Sequence, residues 1–162
     1  MSGRFSLRAG FGLLATAAVA MTAVAVLAGE WLRLQACPLC IFQRVLYLAI
    51  AVVAIVGVLL PAGHRFLGVS IALLSIGGVA TAGYQSWLQL APDTSMACGA
   101  GEPNVIEQVV DWLGMRWPRL FMATGFCSSK EWVVLGLSMA NWSGLGFLAF
   151  GLAAARLARR QS

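Results

Sequence analysis

Cys37, Pro38, Leu39 and Cys40 form a C-x-x-C, a spacing that lets two sulfurs approach across one helical turn and favours reversible thiol–disulfide exchange. The same spacing serves as half of a zinc site or, when histidine follows, as a haem attachment. Ile41 follows here, which excludes covalent haem. Zinc shared by Cys37, Cys40, Cys98 and Cys127 is possible in principle, but the second pair lacks the close knuckle spacing of structural sites. Plain stapling of an exported loop is the bland alternative to redox chemistry.

Arg44 shifts the balance toward redox chemistry, because it follows Cys40 by four residues on the same helical face. It stands in the first turn of a hydrophobic span, and a cation at bilayer depth costs about 2.5–3.5 kcal/mol at the centre. Interfacial anchoring is the simpler alternative. As a functional group it wants an anion, and the Cys40 thiolate, also favoured by the N-terminal end of the helix, is the candidate. The same guanidinium can donate to a carbonyl oxygen of a bound quinone and stabilise negative charge there. Cys98 and Cys127 are flanked by Ala97, Gly99 and Gly125, which predicts mobile, accessible backbone around both sulfurs.

The elements that must position these residues follow from composition. The chain has 162 residues, 60% hydrophobic and 10% charged, with mean hydropathy +0.83, so the bilayer is its solvent. At roughly 20 apolar residues per crossing, this length allows about four spans and one substantial loop. We expect an all-α, four-helix membrane bundle forming a single domain over 1–162, with spans at about 10–28, 41–60, 66–88 and 142–157. The first block, preceded by Arg4 and Arg8, also has the form of a signal peptide with Val26 and Ala28 before Gly29; its length favours a span. Pro61, Gly63, His64 and Arg65 read as a tight turn between the second and third spans. The fourth block is short, so it recruits part of 132–141 or snorkels Arg156 toward water.

Residues 29–40 and 91–141 read as extramembrane loops, the longer one punctuated by Pro92, Gly99, Gly101, Pro103 and Pro118. Within it, Val105, Ile106, Val109, Val110 and Leu113 recur at helical spacing opposite Glu107 and Asp111. This predicts a short amphipathic helix resting on the membrane surface or packed over the bundle top. Arg4, Arg8, Arg65, Arg156, Arg159 and Arg160 flank the ends that must share a side, and all six acidic residues fall opposite. Both termini are therefore expected in the cytoplasm, with the cysteines facing away from it. The net charge of +5 is dispersed between apolar blocks with no basic stripe, so topology explains it and a nucleic-acid partner is not expected.

Together these residues resemble the DsbB family of bacterial disulfide-forming membrane proteins over nearly the whole chain. CPLCIFQR at 37–44 is similar to the family's redox motif, and WPRLFMATGFC at 117–127 to the segment ending in its last cysteine; Trp132, Leu135, Gly136, Leu137, Met139 and Trp142 also fit the family's spacing. The resemblance implies a quinone-dependent protein-disulfide oxidoreductase of the bacterial inner membrane, with periplasmic cysteines. By it, Cys98 and Cys127 form the disulfide attacked by reduced DsbA, a periplasmic thiol oxidant, with Cys98 bonding transiently to that partner. Cys37 and Cys40 then reoxidise the pair through an interloop Cys37–Cys127 bridge. Cys40, assisted by Arg44, donates to ubiquinone or a related quinone of the membrane pool. Gln85 stands where some relatives carry a histidine near the quinone; it can donate a hydrogen bond but cannot titrate.

Relaxed structural disulfides lie below about −300 mV and DsbA near about −120 mV, a gap of roughly 8 kcal/mol for two electrons. The working disulfides must therefore be strained, exposed or drained by a quinone. A vitamin K epoxide reductase-type enzyme is disfavoured by cysteine order, since its quinone-facing C-x-x-C falls late in the bundle. A non-enzymatic membrane scaffold or metal-binding protein stabilised by its cysteines is the alternative from another class.

Overall fold

The computed structural model describes residues 2–60, 63–90, 105–129 and 133–159. Cys98, Trp132 and the breakers between 91 and 104 lie outside them. Four long helices dominate: α1 (Ser2–Trp31), α2 (Pro38–Leu59), α3 (His64–Leu88) and α6 (Met139–Arg159). Between α3 and α6 come α4 (Val105–Arg116), the single turn α5 (Pro118–Phe121) and a hairpin of β1 (Val133–Val134) and β2 (Leu137–Ser138).

The first three long helices are apolar and long enough to cross a membrane. α1 and α3 contain the stretches expected at 10–28 and 66–88, whereas α2 ends at Leu59, one residue short of the stretch expected at 41–60. Pro38 at the first helical position starts α2, its fixed φ suiting the helix and its missing N–H being one that would lack a partner anyway. The helix expected at 142–157 begins at Met139, so it recruits Met139, Ala140 and Asn141 from the preceding segment. At 21 residues it is the shortest of the four, and Asn141, Ser143, Arg156 and Arg159 keep it more polar.

The core runs along the bundle axis through Phe11, Ala18, Tyr47, Ile50, Ala54, Ile71, Phe147 and Phe150. Lipid tails are as apolar as leucine, so close backbone approach at small residues does much of the packing. Phe11 lies over Gly57, where an added Cβ would come within 2.6 Å of its ring, and Phe147 lies directly over Gly78. Tyr47 stacks on Phe147 with centroids 4.1 Å apart and donates its hydroxyl to the Ser143 carbonyl at 2.9 Å. Gly78→Ala is expected to cost about 1–3 kcal/mol through overpacking against Phe147. A drop of several degrees in Tm in detergent micelles would show it; an unchanged Tm would mean that the ring yields freely.

Contacts also fix which ends lie together. Gly10 approaches Leu157, Gly68 approaches Ala158, and Phe11 stacks on His64 with centroids 5.2 Å apart. The start of α1, the α2–α3 turn and the end of α6 thus share one end. His64, expected in the tight turn, starts α3 and is buried there, bonding the Gly57 carbonyl through Nε2 at 2.8 Å.

The segment expected as one long loop is structured in its described parts. The amphipathic helix is present as α4, but its inward face differs from the expectation: Glu107, Val110 and Gly114 turn inward, while Val105, Val109, Trp112 and Met115 are exposed. Val110 packs against Ile41 and Phe121, and Gly114 leaves room for the Phe121 carbonyl, 3.0 Å from where a Cβ would sit. Apolar residues therefore lie on two sides of α4, one facing α2 and the other outward. The hairpin was not anticipated: Val133 pairs with Ser138 and Val134 with Leu137. Leu135 and Gly136 take φ of 54° and 79°, as a two-residue type I′ turn requires. Leucine rarely holds that conformation, which is why the turn left no signal in the sequence.

Candidate active site

Cys37 is the N-cap of α2, and its Sγ accepts the backbone N–H of Cys40 at 3.3 Å. Pro38 then turns the helix so that Cys40 Sγ lies 2.9 Å from Cys37 Sγ, with both residues free thiols and Cys37 donating. That hydrogen bond, and then burial, push the Cys37 thiol above its ordinary range, so Cys37 keeps its proton. The helix N-terminus points positive potential at the pair.

Gln85, expected near a quinone, faces the sulfurs. Its Nε2 donates to Cys40 Sγ at 2.9 Å and to Cys37 Sγ at 3.3 Å. Its Oε1 accepts from Gln43 Nε2 at 2.9 Å. Sequence reading passed over Gln43; an amide within an apolar span, three residues after Cys40, was the available signal.

Arg44 is half-buried beside the pair. The expected anionic partner is not its hydrogen-bond acceptor among the described residues: Nη2 donates to the Ala25 carbonyl of α1 and Nη1 to the Leu120 carbonyl of α5, each at 3.2 Å. Its charge still acts on Cys40 through space. The guanidinium thus ties three helices together at the head of α2.

Two cavities meet at Cys40 and Arg44. The larger, 280 Å³, opens between α1, α2 and α6 and is lined chiefly by apolar groups, among them Met21, Val24, Leu137 and Trp142. Val134 and Leu137 bring the hairpin to its wall, and Trp142 Nε1 donates to the Val134 carbonyl at 3.1 Å. Ser143 also lines it, and its buried hydroxyl has no hydrogen-bond partner among the described residues. The smaller cavity, 70 Å³, is more polar and is lined by Cys37, Gln85, Gln89 and Ser129.

Cys127 is fully buried and disulfide-bonded, and it packs in one cluster with Cys37, Leu39 and Leu88, with Cys40 against it. The mobile, accessible backbone expected around it is not found. Thr124 and Gly125 N–H groups donate to the Ala36 carbonyl at 2.9 and 3.1 Å, and Gln89 Nε2 donates to Ser129 O at 3.3 Å. Gly125 is needed for close approach, since a Cβ there would meet the Gln35 carbonyl. The fold therefore brings together Cys37, Cys40, Cys127, Arg44 and Gln85; Cys98 lies outside the described residues.

Comparison with known proteins identifies the family. A family model described as disulfide bond formation protein DsbB matches residues 7–157. Disulfide bond formation protein B of Dechloromonas aromatica is 49% identical over 140 residues, 86% of this chain and 85% of the relative. The protein of that name in a Polaromonas species is 36% identical over 157 residues, 92% and 91% of the two chains. Its counterpart in an Azoarcus species is 37% identical over 124 residues, 75% and 74% of the two chains. This is a helical membrane protein of disulfide bond formation, which exchanges disulfides with a partner. With the match running from the first span to the last helix, the chain belongs to the DsbB family.

Proposed function

We propose that this protein is a membrane thiol oxidase that takes two electrons from a DsbA-like periplasmic dithiol and passes them to ubiquinone or a related membrane quinone. The observation that carries the reading is the position of Cys40 and Arg44, in the wall shared by an apolar cavity and a small polar one beside Cys37. The larger cavity suits a quinone headgroup. At 280 Å³ it lies just under the usual range of about 300–1,000 Å³ for ligand pockets, is mostly apolar, and offers as donors Arg44 and a Ser143 hydroxyl that has no partner among the described residues. When bound there, a quinone supplies an acceptor for two electrons and two protons.

The protein's own steps are thiol–disulfide exchanges. A thiolate of the reduced partner attacks Cys98 Sγ of a Cys98–Cys127 bridge, and Cys127 leaves as thiolate. Cys127 then attacks Cys37 Sγ of the oxidised C-x-x-C, forming a Cys37–Cys127 bridge and releasing Cys40 as thiolate. The partner's second thiolate attacks its own sulfur in the mixed disulfide, which releases Cys98 and leaves the partner oxidised. Cys98 attacks Cys127, re-forming the first bridge and releasing Cys37. The two electrons now reside on the Cys37–Cys40 dithiol, next to the acceptor cavity. The packing of Cys127 against Cys37 supports the second exchange, since reacting sulfurs must be held close.

The reading places the chain in the bacterial inner membrane as one four-span unit, with α6 as the fourth span, both termini cytoplasmic and the cysteines periplasmic. Arg8, Arg65, Arg156 and Arg159 belong to the helix ends that share one side of the bundle, opposite the head of α2, as the excess of cytoplasmic positive charge requires.

Arg44→Met tests the cofactor side. Losing a charged donor is worth about 1.5–3 kcal/mol, so the apparent quinone KM is expected to rise about ten- to a hundredfold in assays with reduced partner and a soluble quinone analogue. An unchanged KM would reduce Arg44 to a strut between α1 and α5.

A further inference from the structure

We propose that Gln43 is a positioning residue for Cys40, acting through Gln85: by donating to the Gln85 amide oxygen it keeps the Gln85 N–H groups aimed at the sulfurs. Both amides are almost completely buried, at 5% and 2% exposure, between two apolar helices. Burying one carboxamide without partners costs a few kcal/mol, so two in mutual contact are retained for a purpose beyond packing. The geometry points to that purpose. Gln43 Nε2 lies 2.9 Å from Gln85 Oε1, and Gln85 Nε2 lies 2.9 Å from Cys40 Sγ.

A primary amide is nearly the same shape when rotated end for end, so nothing steric decides which end of Gln85 faces the sulfurs. The N–H end stabilises a thiolate and the oxygen end repels it. Gln43, as a donor to the oxygen, selects the first orientation. Cys37 and Arg44 are the titratable or charged neighbours acting on Cys40 among the described residues, and Cys127 is held in a disulfide. The Gln43–Gln85 pair therefore supplies Cys40 with a neutral, non-titrating donor in addition to the Arg44 charge. The inference rests on the reading of Cys40 as the sulfur that passes electrons on.

The test uses the full chain, reduced, in detergent micelles, with the iodoacetamide alkylation rate of Cys40 followed by peptide mass spectrometry as pH is raised. In Gln43→Glu, a protonated carboxyl still donates to the Gln85 oxygen, but an ionised one only accepts and turns the amide round. Its Cys40 rate relative to the parent is therefore expected to fall with rising pH, reaching a loss of about tenfold or more. Gln43→Leu, which leaves the amide unselected, should show a smaller, pH-independent loss. A merely structural Gln43 would give the reverse ranking, with leucine worse and no pH trend, and that result would overturn the proposal. Parent-like profiles in both variants would overturn it as well. The assay reads the sulfur and not quinone reduction, so it separates the two readings. Unchanged alkylation with lost quinone turnover removes the role of Gln43 alone, whereas turnover surviving Cys40→Ser removes the electron route.

Discussion

Replacing Cys40 by serine is expected to reduce quinone reduction by reduced DsbA-like protein to the uncatalysed background, a loss of at least about a thousandfold. The hydroxyl is close to the thiol in shape, so α2, its Cys37 cap and the Gln85 contact can persist. What disappears is a sulfur able to form a disulfide and to carry electrons as a thiolate beside the larger cavity. The assay is quinone absorbance in the presence of purified full-length protein and reduced partner. Activity near that of the parent would sink the route through Cys40 and require another donor to the acceptor. Energetics make the prediction sharp. Withdrawing electrons from a partner poised near about −120 mV is unfavourable for a relaxed disulfide by roughly 8 kcal/mol, so on the proposed route a quinone drains the dithiol.

Gly125→Ala is expected to separate the two halves of the reaction. A Cβ at this position meets the Gln35 carbonyl, a backbone atom that cannot swing aside as a flexible side chain would. Relief requires the segment to move away, breaking the Thr124 and Gly125 bonds to the Ala36 carbonyl and withdrawing Cys127 from Cys37. Electron flow from reduced partner to quinone should fall by about a hundredfold, because displacing a held sulfur by about 1 Å forfeits much of its effective concentration. Quinone reduction driven by dithiothreitol, acting directly on Cys37 and Cys40, should stay within a few-fold of the parent. Equal losses with both donors would mean that the substitution damages the α2 head itself. Unchanged rates with both would mean that close seating of Cys127 is not needed.

The position of Gly125 also shows how far sequence reading reaches. Glycine beside a cysteine suggested mobility, and the structure uses that glycine to clamp the loop onto another backbone. Local sequence cannot distinguish the two uses, because the decisive neighbour, Gln35, lies in a different connection of the chain. The same holds for Arg44. Its place one turn after Cys40 was legible, but its acceptors are carbonyls of Ala25 and Leu120, contributed by α1 and α5.

By itself, the sequence determined the helical membrane architecture, the C-x-x-C at the head of α2 and the following arginine, and its charges carry the proposed sidedness. These depend on composition, on residue spacing within one element and on which loops carry charge, all of which are local quantities. Tertiary structure alone decided that Gln43 and Gln85, 42 positions apart, meet over the sulfurs. It likewise decided that Cys127 packs against Cys37, and that α4 turns Glu107 and Val110 inward while Val109 and Trp112 face out. The physical reason is the solvent. In water, apolar periodicity identifies the buried face, but in and beside a bilayer lipid accepts apolar residues as readily as protein does. Which apolar strip is buried, and which polar groups meet, is then set by close backbone approach and hydrogen bonding between helices. The C-x-x-C was visible from its spacing; the amides that hold its reactive sulfur appeared only when α2 and α3 were packed together.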